Sequence, residues 1–268
     1  MLTTMHRAER ISSQLSGVNV VSIISDRSFP RHTHDEYGIG FMVSGGHESW
    51  SGRGHVEAST GDVITVNPGE VHDGLGRKGA PRQWKMLFLD LAIIGRYAET
   101  DRSGQEFTNP VLSDRQTCAA IAQAVTALSS PTEEEAFAEE CLILALAAIG
   151  KVPVHRGKTG RPDYSWAVRC ALDKIAAEAD GALNLADLAD AAGVSRFQLL
   201  RRFSAEVGTT PHNYLIQYRV NLARRKIRAG HPLAEAAVSS GFADQSHMTR
   251  AFVRQYGLSP GHFTKDIV

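Results

Sequence analysis

Pro232-Leu-Ala-Glu-Ala-Ala-Val-Ser-Ser-Gly-Phe-Ala-Asp-Gln-Ser-His-Met-Thr-Arg-Ala-Phe-Val-Arg-Gln-Tyr-Gly-Leu-Ser-Pro260 decides how the C-terminal half of this chain is read. Pro232 sits at a helix start, where its missing N–H costs nothing. Leu233, Ala236 and Ala237 share one apolar face, and Gly241 is the stop, since glycine takes up the left-handed backbone of a helix end without steric cost. Asp244 then caps a second helix whose Met248, Phe252 and Val253 turn inward at helical spacing. Gln245, Ser246, Thr249 and Arg250 are left on its other face. Such a pair of short helices, the second carrying an amide, hydroxyls and a guanidinium, is the make-up of a helix-turn-helix DNA reader. Amides pair with adenine edges and arginine with guanine edges, so this face suits bases as well as phosphates. The plainer alternative is an amphipathic hairpin whose polar face is only solvated.

The layout occurs twice. In Leu185-Ala-Asp-Leu-Ala-Asp-Ala-Ala-Gly-Val-Ser-Arg-Phe-Gln-Leu-Leu-Arg-Arg-Phe203, Gly193 is the stop, Ser195 the cap, and Leu199 and Phe203 point inward. Arg196, Phe197, Leu200 and Arg201 lie toward the opposite side. Between the two units, Pro211 to Ala229 is an unbroken helical pattern closed by Gly230. At about 1.5 Å per residue this is a rod of roughly 28 Å, near the roughly 34 Å between successive major-groove turns on one DNA face. The expectation is two readers on a stiff spacer.

At this point the sequence resembles a known family. Residues from about Trp166 to Phe263 are similar to the DNA-binding domain of AraC/XylS transcription regulators, down to the terminal signature Gly241-Phe242, Gln245-Ser246, Thr249-Arg250, Phe252, Tyr256-Gly257 and Ser259-Pro260. The resemblance implies base-facing roles for Arg196, Phe197, Leu200 and Arg201, and for Gln245, Ser246, Thr249 and Arg250. Leu200 departs from the family, many members of which carry a polar residue there. An apolar side chain touches a thymine methyl but offers no hydrogen bond, so Arg196 and Arg201 are expected to dominate the first unit.

Zero formal net charge hides an asymmetry. Residues 1–157 hold 14 Lys+Arg against 19 Asp+Glu, and residues 158–268 hold 15 against 10, so the halves carry about −5 and +5. The basic half suits phosphate contact, with Arg219, Arg224, Arg225, Lys226 and Arg228 as candidates. The acidic half is a poor nucleic-acid surface. No apolar run is long enough for a bilayer, the start of the chain lacks the apolar core of a signal peptide, and three cysteines without metal-ligand spacing read as free thiols. A cytoplasmic protein without a membrane partner is expected.

The N-terminal half reads as short strands: Val18–Ser25, Glu36–Ser44, a hairpin of His47–Gly52 and His55–Ala58 about Arg53-Gly54, Asp62–Asn67 and Gln83–Asp90. This pattern argues for a β-barrel or jelly roll. His32-Thr-His34 and Gly61-Asp62 with Pro68-Gly69-Glu70-Val71-His72 resemble the two cupin motifs, and residues 15–95 resemble the effector domain of AraC-type regulators. His32 and His34 on one strand face would point the same way, and with His72 they supply three nitrogens. The cupin pattern also asks for a glutamate. Glu36 is too near, and Ile39 stands where the acid belongs. The histidines are therefore read as effector-binding, together with Tyr37 and Trp84, with neither a metal nor a cofactor expected.

Beyond the strands, Ser113–Leu128 and Thr132–Ile149 are helical patterns, the second with Thr132 and Glu135 spaced as a capping box. Ile121, Val125 and Leu128, then Phe137, Cys141, Leu144 and Ala148, form apolar stripes. In AraC-like proteins such helices are a dimer interface, and the resemblance implies a homodimer here; the alternative is that they simply pack on their own barrel. The expected architecture is thus an α+β two-domain chain. It has a cupin-like β-barrel or jelly roll over 1–110, a helical dimerisation segment over 111–150, a linker over 151–163, and an all-α domain with two helix-turn-helix units over 164–268. The expected function is an effector-controlled, sequence-specific regulator on double-stranded promoter DNA, engaging RNA polymerase if it activates. No nucleophile–base or carboxylate pair has diagnostic spacing, so no catalytic residue is assigned and no enzyme is expected. The alternative class is a cupin metal-dependent enzyme or metal sensor fused to a DNA-binding domain.

Overall fold

The computed structural model describes residues 5–52, 54–76, 80–97, 106–151 and 164–264. The expected linker over 151–163 therefore lies, apart from residue 151, outside the described residues, as does Arg53 of the hairpin. Two compact units result. One takes the described residues among Met1–Ser28 and His34–Thr159, the other those among Phe29–Thr33 and Gly160–Val268.

The strands in chain order are β1 His6–Ile11, β2 Val18–Ser25, β3 Phe29–His32, β4 Tyr37–Ser44, β5 Gly46–Ser51, β6 Gly54–Ser59, β7 Val63–Val66, β8 His72–Gly76, β9 Arg82–Leu89 and β10 Val111–Leu112. In the first unit they form a six-stranded sheet in the order β1-β2-β9-β4-β7-β10 and a smaller sheet in the order β8-β5-β6, while β3 belongs to the second unit. The arrangement is a two-sheet, jelly-roll-like version of the expected cupin fold.

Three helices follow in this half: α1 Leu91–Tyr97, α2 Arg115–Leu128 and α3 Glu135–Lys151. Strand alternation divides the six-stranded sheet cleanly. Register pairs Val20 with Leu87 and Ile39 with Leu87, which puts these side chains on one face. That face packs with Ile121, Ala124, Val125 and Leu128 of α2 and Ala138, Cys141 and Leu142 of α3 into one core. The opposite face carries Arg82, Trp84, Met86 and Phe88 of β9 and Met42 of β4 toward the second sheet.

Helix α2 starts at an Asp114 cap that accepts from Thr117 N at 2.8 Å. The Thr132 capping box does not form. The Thr132 hydroxyl lies 3.0 Å from Ser130 Oγ, and Gln14 Nε2 donates to the carbonyls of Ser130 and Glu133, which holds residues 130–133 as a turn. The helix begins later, at Glu135. Its buried stripe is accordingly Ala138, Cys141, Leu142 and Ala145, whereas Phe137 and Leu144, expected with Cys141, face outward.

The second unit holds α4 Trp166–Glu178, α5 Leu185–Ala191, α6 Arg196–Val207, α7 Pro211–Arg228, α8 Leu233–Val238, α9 Gln245–Tyr256 and α10 Pro260–Thr264. Both expected helix pairs are present, and Gly193 (φ 62) and Gly241 (φ 85) take the left-handed conformation in their turns. The helices themselves end slightly earlier, at Ala191 and Val238. Helix α7 is the spine. Val220, Ala223 and Ile227 pack with Ala236 and Ala237 of α8, Met248 and Phe252 of α9, and Phe263. Gln217 Nε2 donates to Arg31 O at 2.8 Å and Gln255 Nε2 to Thr33 O at 2.7 Å, so this unit's polar core also satisfies the backbone of its 29–33 segment.

Val253 was expected inward but is exposed, because burial in α9 follows the i, i+4, i+7 positions Met248, Phe252 and Gln255. Two variants separate these neighbours. Phe252→Ala should lower the stability of this unit by about 3–5 kcal/mol, whereas Val253→Ala should stay within roughly 0.5 kcal/mol, both read from chemical denaturation of the full chain.

Candidate functional site

The recognition elements of the second unit are built by their caps. Ser195 accepts from Gln198 N, and the Gln198 side chain accepts from Ser195 N, a reciprocal capping box at the start of α6. Asp244 accepts from His247 N at 2.7 Å at the start of α9. Each cap satisfies a backbone donor that the helix cannot, and it fixes which side chains of the first turn project outward. In α6, Leu199 and Phe203 are buried, while Arg196, Phe197, Leu200 and Arg201 are exposed, Phe197 to 73%. In α9, Met248 and Phe252 are buried, Gln245, Ser246 and Arg250 are exposed, and Thr249 is half-buried. Each quartet thus lies on the outward side of its own helix. An aromatic ring as exposed as Phe197 loses solvation advantage unless something covers it, which suits apolar contact with a base.

The expected phosphate contacts on α7 fare differently. Arg219 is buried, donating through Nε to Ala179 O at 2.6 Å and through Nη2 to Gly181 O at 2.7 Å, which closes the end of α4. Arg224 is buried against the Tyr256 ring, 5.4 Å from its centroid. Lys226 donates to Ser239 O, and Arg228 lies over Phe263. Arg225 is the exposed member. Charge counting could not distinguish cations spent on internal carbonyls and rings from cations presented outward.

In the sandwich, Trp84 projects from β9 toward the second sheet, and His47 of β5 stands edge-on to it with ring centroids 4.8 Å apart. At the far end of β9, His34 is 5.1 Å from His72 and 5.1 Å from Phe88. His34 is buried beside His72 within the first unit, whereas His32, also buried, belongs to the 29–33 segment of the second unit, with Nδ1 2.7 Å from Pro30 O. Ile39, at the position of the cupin acid, is buried in the core beneath the helices. Tyr37 lies on that same helix-facing side, edge-on to Phe107 at 5.3 Å, and so points away from Trp84 and the histidines. The sequence reading missed two residues that flank Trp84, His47 and Arg82. Alternation from Trp84 along β9 is the signal that places Arg82 beside it.

The interior is chemically unusual. Ser49, Ser51, His47 and Arg82 are all buried there. Burial, with a smaller contribution from the Arg82 charge, lowers the His47 pKa to about 3. Burial likewise lowers His72 to about 4, opposed by its hydrogen bond to the Glu70 carbonyl. Both rings are therefore neutral at pH 7.

Residues 22–147 match the AraC-like ligand binding domain, and residues 188–266 match a helix-turn-helix domain. A ligand-binding sandwich joined to paired DNA readers defines the class of ligand-responsive transcription regulators. The two matches and the relatives below support an AraC-family regulator with an N-terminal ligand-binding domain. A Bacillus subtilis protein, the uncharacterised HTH-type transcriptional regulator YbfI, is 28% identical over 229 residues, 83% of this chain and 82% of that protein. A putative AraC-like transcription regulator of Streptomyces lividans is 45% identical over 82 residues, 30% of this chain and 27% of that one. Among solved structures, ToxT from Vibrio cholerae superposes with a TM-score of 0.52 at 11% identity, covering 100% of this chain and 99% of ToxT. At that identity the likeness is one of fold. AraC-type regulators bind promoter DNA and small-molecule effectors. Among the described residues no helix is long and apolar enough to cross a membrane.

The buried histidine carries a pH signature. Because the folded pKa of His47, about 3, lies below the ordinary histidine value of 6.5, the unfolded chain binds the extra proton between these values. Stability therefore falls as pH drops through that window. The unfolding midpoint of the full chain should decline below about pH 6.5, and His47→Gln should make the decline shallower.

Proposed function

We propose that α6 and α9 read two blocks of one promoter site, with Arg196, Arg201, Gln245 and Arg250 as the base-reading side chains. Phe197 and Leu200 supply apolar contact, and Ser246 and Thr249 supply hydroxyls. The observation that carries this reading is the repetition. Two helices of the same length each begin at a side-chain cap and bury a leucine or methionine and a phenylalanine four residues on. Each presents arginine outward at the same place in the turn. Helix α7, eighteen residues long, spaces them by about 27 Å at 1.5 Å per residue.

The effector is assigned to the face of the sandwich bearing Trp84, with His34 and His72 at one end. ToxT has been solved with an unsaturated fatty acid bound, which supports a small organic ligand for this fold. The ligand acts by differential affinity for the DNA-competent arrangement. The protein works as a regulator and not as an enzyme, in the cytoplasm where promoter DNA is reached, and it engages RNA polymerase where it activates. A second copy of the chain is the partner for the outer face of α3, on which Phe137, Ile143 and Leu144 are exposed, Leu144 to 61%.

Two measurements test this. Arg201→Ala combined with Arg250→Ala should weaken binding to a selected DNA site by at least about 30-fold at physiological salt, from 1–3 kcal/mol per base contact; unchanged affinity would exclude the assigned readers. In sedimentation the wild-type chain should be a dimer and Leu144→Glu a monomer, and a monomeric wild type would exclude the α3 interface.

A further inference from the structure

Arg82 is the first residue of β9 and is 1% exposed, the largest of the fully buried side chains. Its guanidinium lies over Trp84, 4.9 Å from the ring centroid, and Nη2 donates to Gly74 O of β8 at 2.8 Å. The side chain thus crosses from one sheet to the other. Gly76 leaves room for it, since a Cβ at that position would collide with Nη1. The remaining donors are not used. Nε and Nη1 are sealed from solvent and have no hydrogen-bond partner among the described residues. Beside them His47, 4% exposed, has an equally unpartnered Nε2.

Buried polar groups are normally satisfied, and a buried cation without a counter-charge is among the least favourable arrangements a fold can carry. Asp26 is the acid near enough to act on Arg82 electrostatically, but its Oδ2 accepts from Met5 N at 2.8 Å. Its Oδ1 is buried without a partner, so no Asp26–Arg82 hydrogen bond closes the account. The guanidinium remains charged at pH 7, because burial lowers its pKa only to about 10 and Asp26 opposes the shift.

We propose that Arg82 is the anchor for a carboxylate-bearing effector, with His47 as the second polar contact and Trp84, Met86 and Phe88 as the apolar bed for the ligand's body. This rests on the reading of the sandwich as the effector domain. A monoanion is chosen over a phosphate because one buried positive charge beside a neutral imidazole balances one negative charge, and a dianion would leave the excess unpaired. Planar carboxylate also matches the guanidinium fork. To engage the acid the side chain turns off the Gly74 carbonyl, exchanging a neutral acceptor for a charged one that binds roughly twice as strongly. The Arg82 end and the His34–Phe88 end of β9 are six residues, about 20 Å, apart. The acid anchor is therefore distinct from the histidine cluster.

The experiment is thermal unfolding of the full chain with millimolar octanoate, benzoate and phenylacetate, each beside its primary amide. At least one acid should raise the midpoint and its amide should not. Arg82→Met should bind that acid at least about tenfold more weakly while unfolding no earlier than wild type without ligand, since a buried unpaired charge has been replaced by an apolar chain of similar length. No stabilisation by any acid, or equal stabilisation by acid and amide, overturns the assignment. So does an Arg82→Met chain that unfolds much earlier than wild type and retains acid binding. DNA binding measured in parallel with fractionated cell extract separates the two levels. An uncharged fraction that shifts DNA affinity equally in wild type and Arg82→Met overturns the acid anchor and leaves the regulator intact. DNA binding that responds to no fraction and no acid removes the effector reading as well.

Discussion

The alternation of side chains along β9 is the constraint on which the N-terminal unit depends. The strand is central, hydrogen-bonded to β2 on one edge and β4 on the other, so its register is fixed from both sides. Leu87 and Leu89 turn to the helices and join a core of aliphatic residues from β2, β4, α2 and α3. Residues Arg82, Trp84, Met86 and Phe88 turn the other way. A shift of one residue would exchange the two sets, placing a guanidinium under the helices and leucines between the sheets. The register with Val20 and Ile39 prevents it. An aliphatic core and a polar interior therefore lie on opposite sides of one strand, and the apolar side offsets the cost of keeping arginine, histidine and serines buried on the other.

The C-terminal unit solves a related problem with helices. A recognition helix must leave its reading face unpacked, so its stability has to come from the opposite stripe and from its ends. Leu199 with Phe203, and Met248 with Phe252, supply the stripe. Ser195 and Asp244 supply the N-terminal ends, and Gly208 and Gly257, both left-handed, supply the C-terminal ends. The buried spine α7 then fixes both helices to one body. This is why cations on α7 are spent internally: a helix buried on several sides has little room for free arginines, and Arg219 is worth more on the carbonyls that end α4 than in solvent.

Most of this unit was legible in the sequence because its signals are local. Glycine stops, Ser and Asp caps and a 3.6-residue apolar period all act within a few residues of one another, and each is visible as spacing. The errors fell where a long-range partner decided the outcome. Nothing near Thr132 indicates that Gln14 will claim the carbonyls of Ser130 and Glu133 and delay α3. Phe137 and Leu144 belong to a helix apolar on nearly all sides, so periodicity could not choose its buried stripe. Short strands β1, β8 and β10 escaped because their pattern is weak and their pairing is non-local, and β3 ends at His32, so His34 is not on the strand face it was expected to share.

The Trp84 face of the sandwich shows the same limit more sharply. Trp84 and the histidines were found through residue type and motif, and Tyr37 was grouped with them although β4 turns it to the helices. Arg82 drew no notice because an arginine at the start of a strand ordinarily reaches solvent. Its significance is a property of what surrounds it: a tryptophan two residues on, a glycine across the sandwich and a carbonyl that accepts from one nitrogen only. A sequence encodes such a site as absences, the missing side chain at Gly76 and the missing acceptors for two guanidinium nitrogens, and absences become legible only once the two sheets are folded face to face.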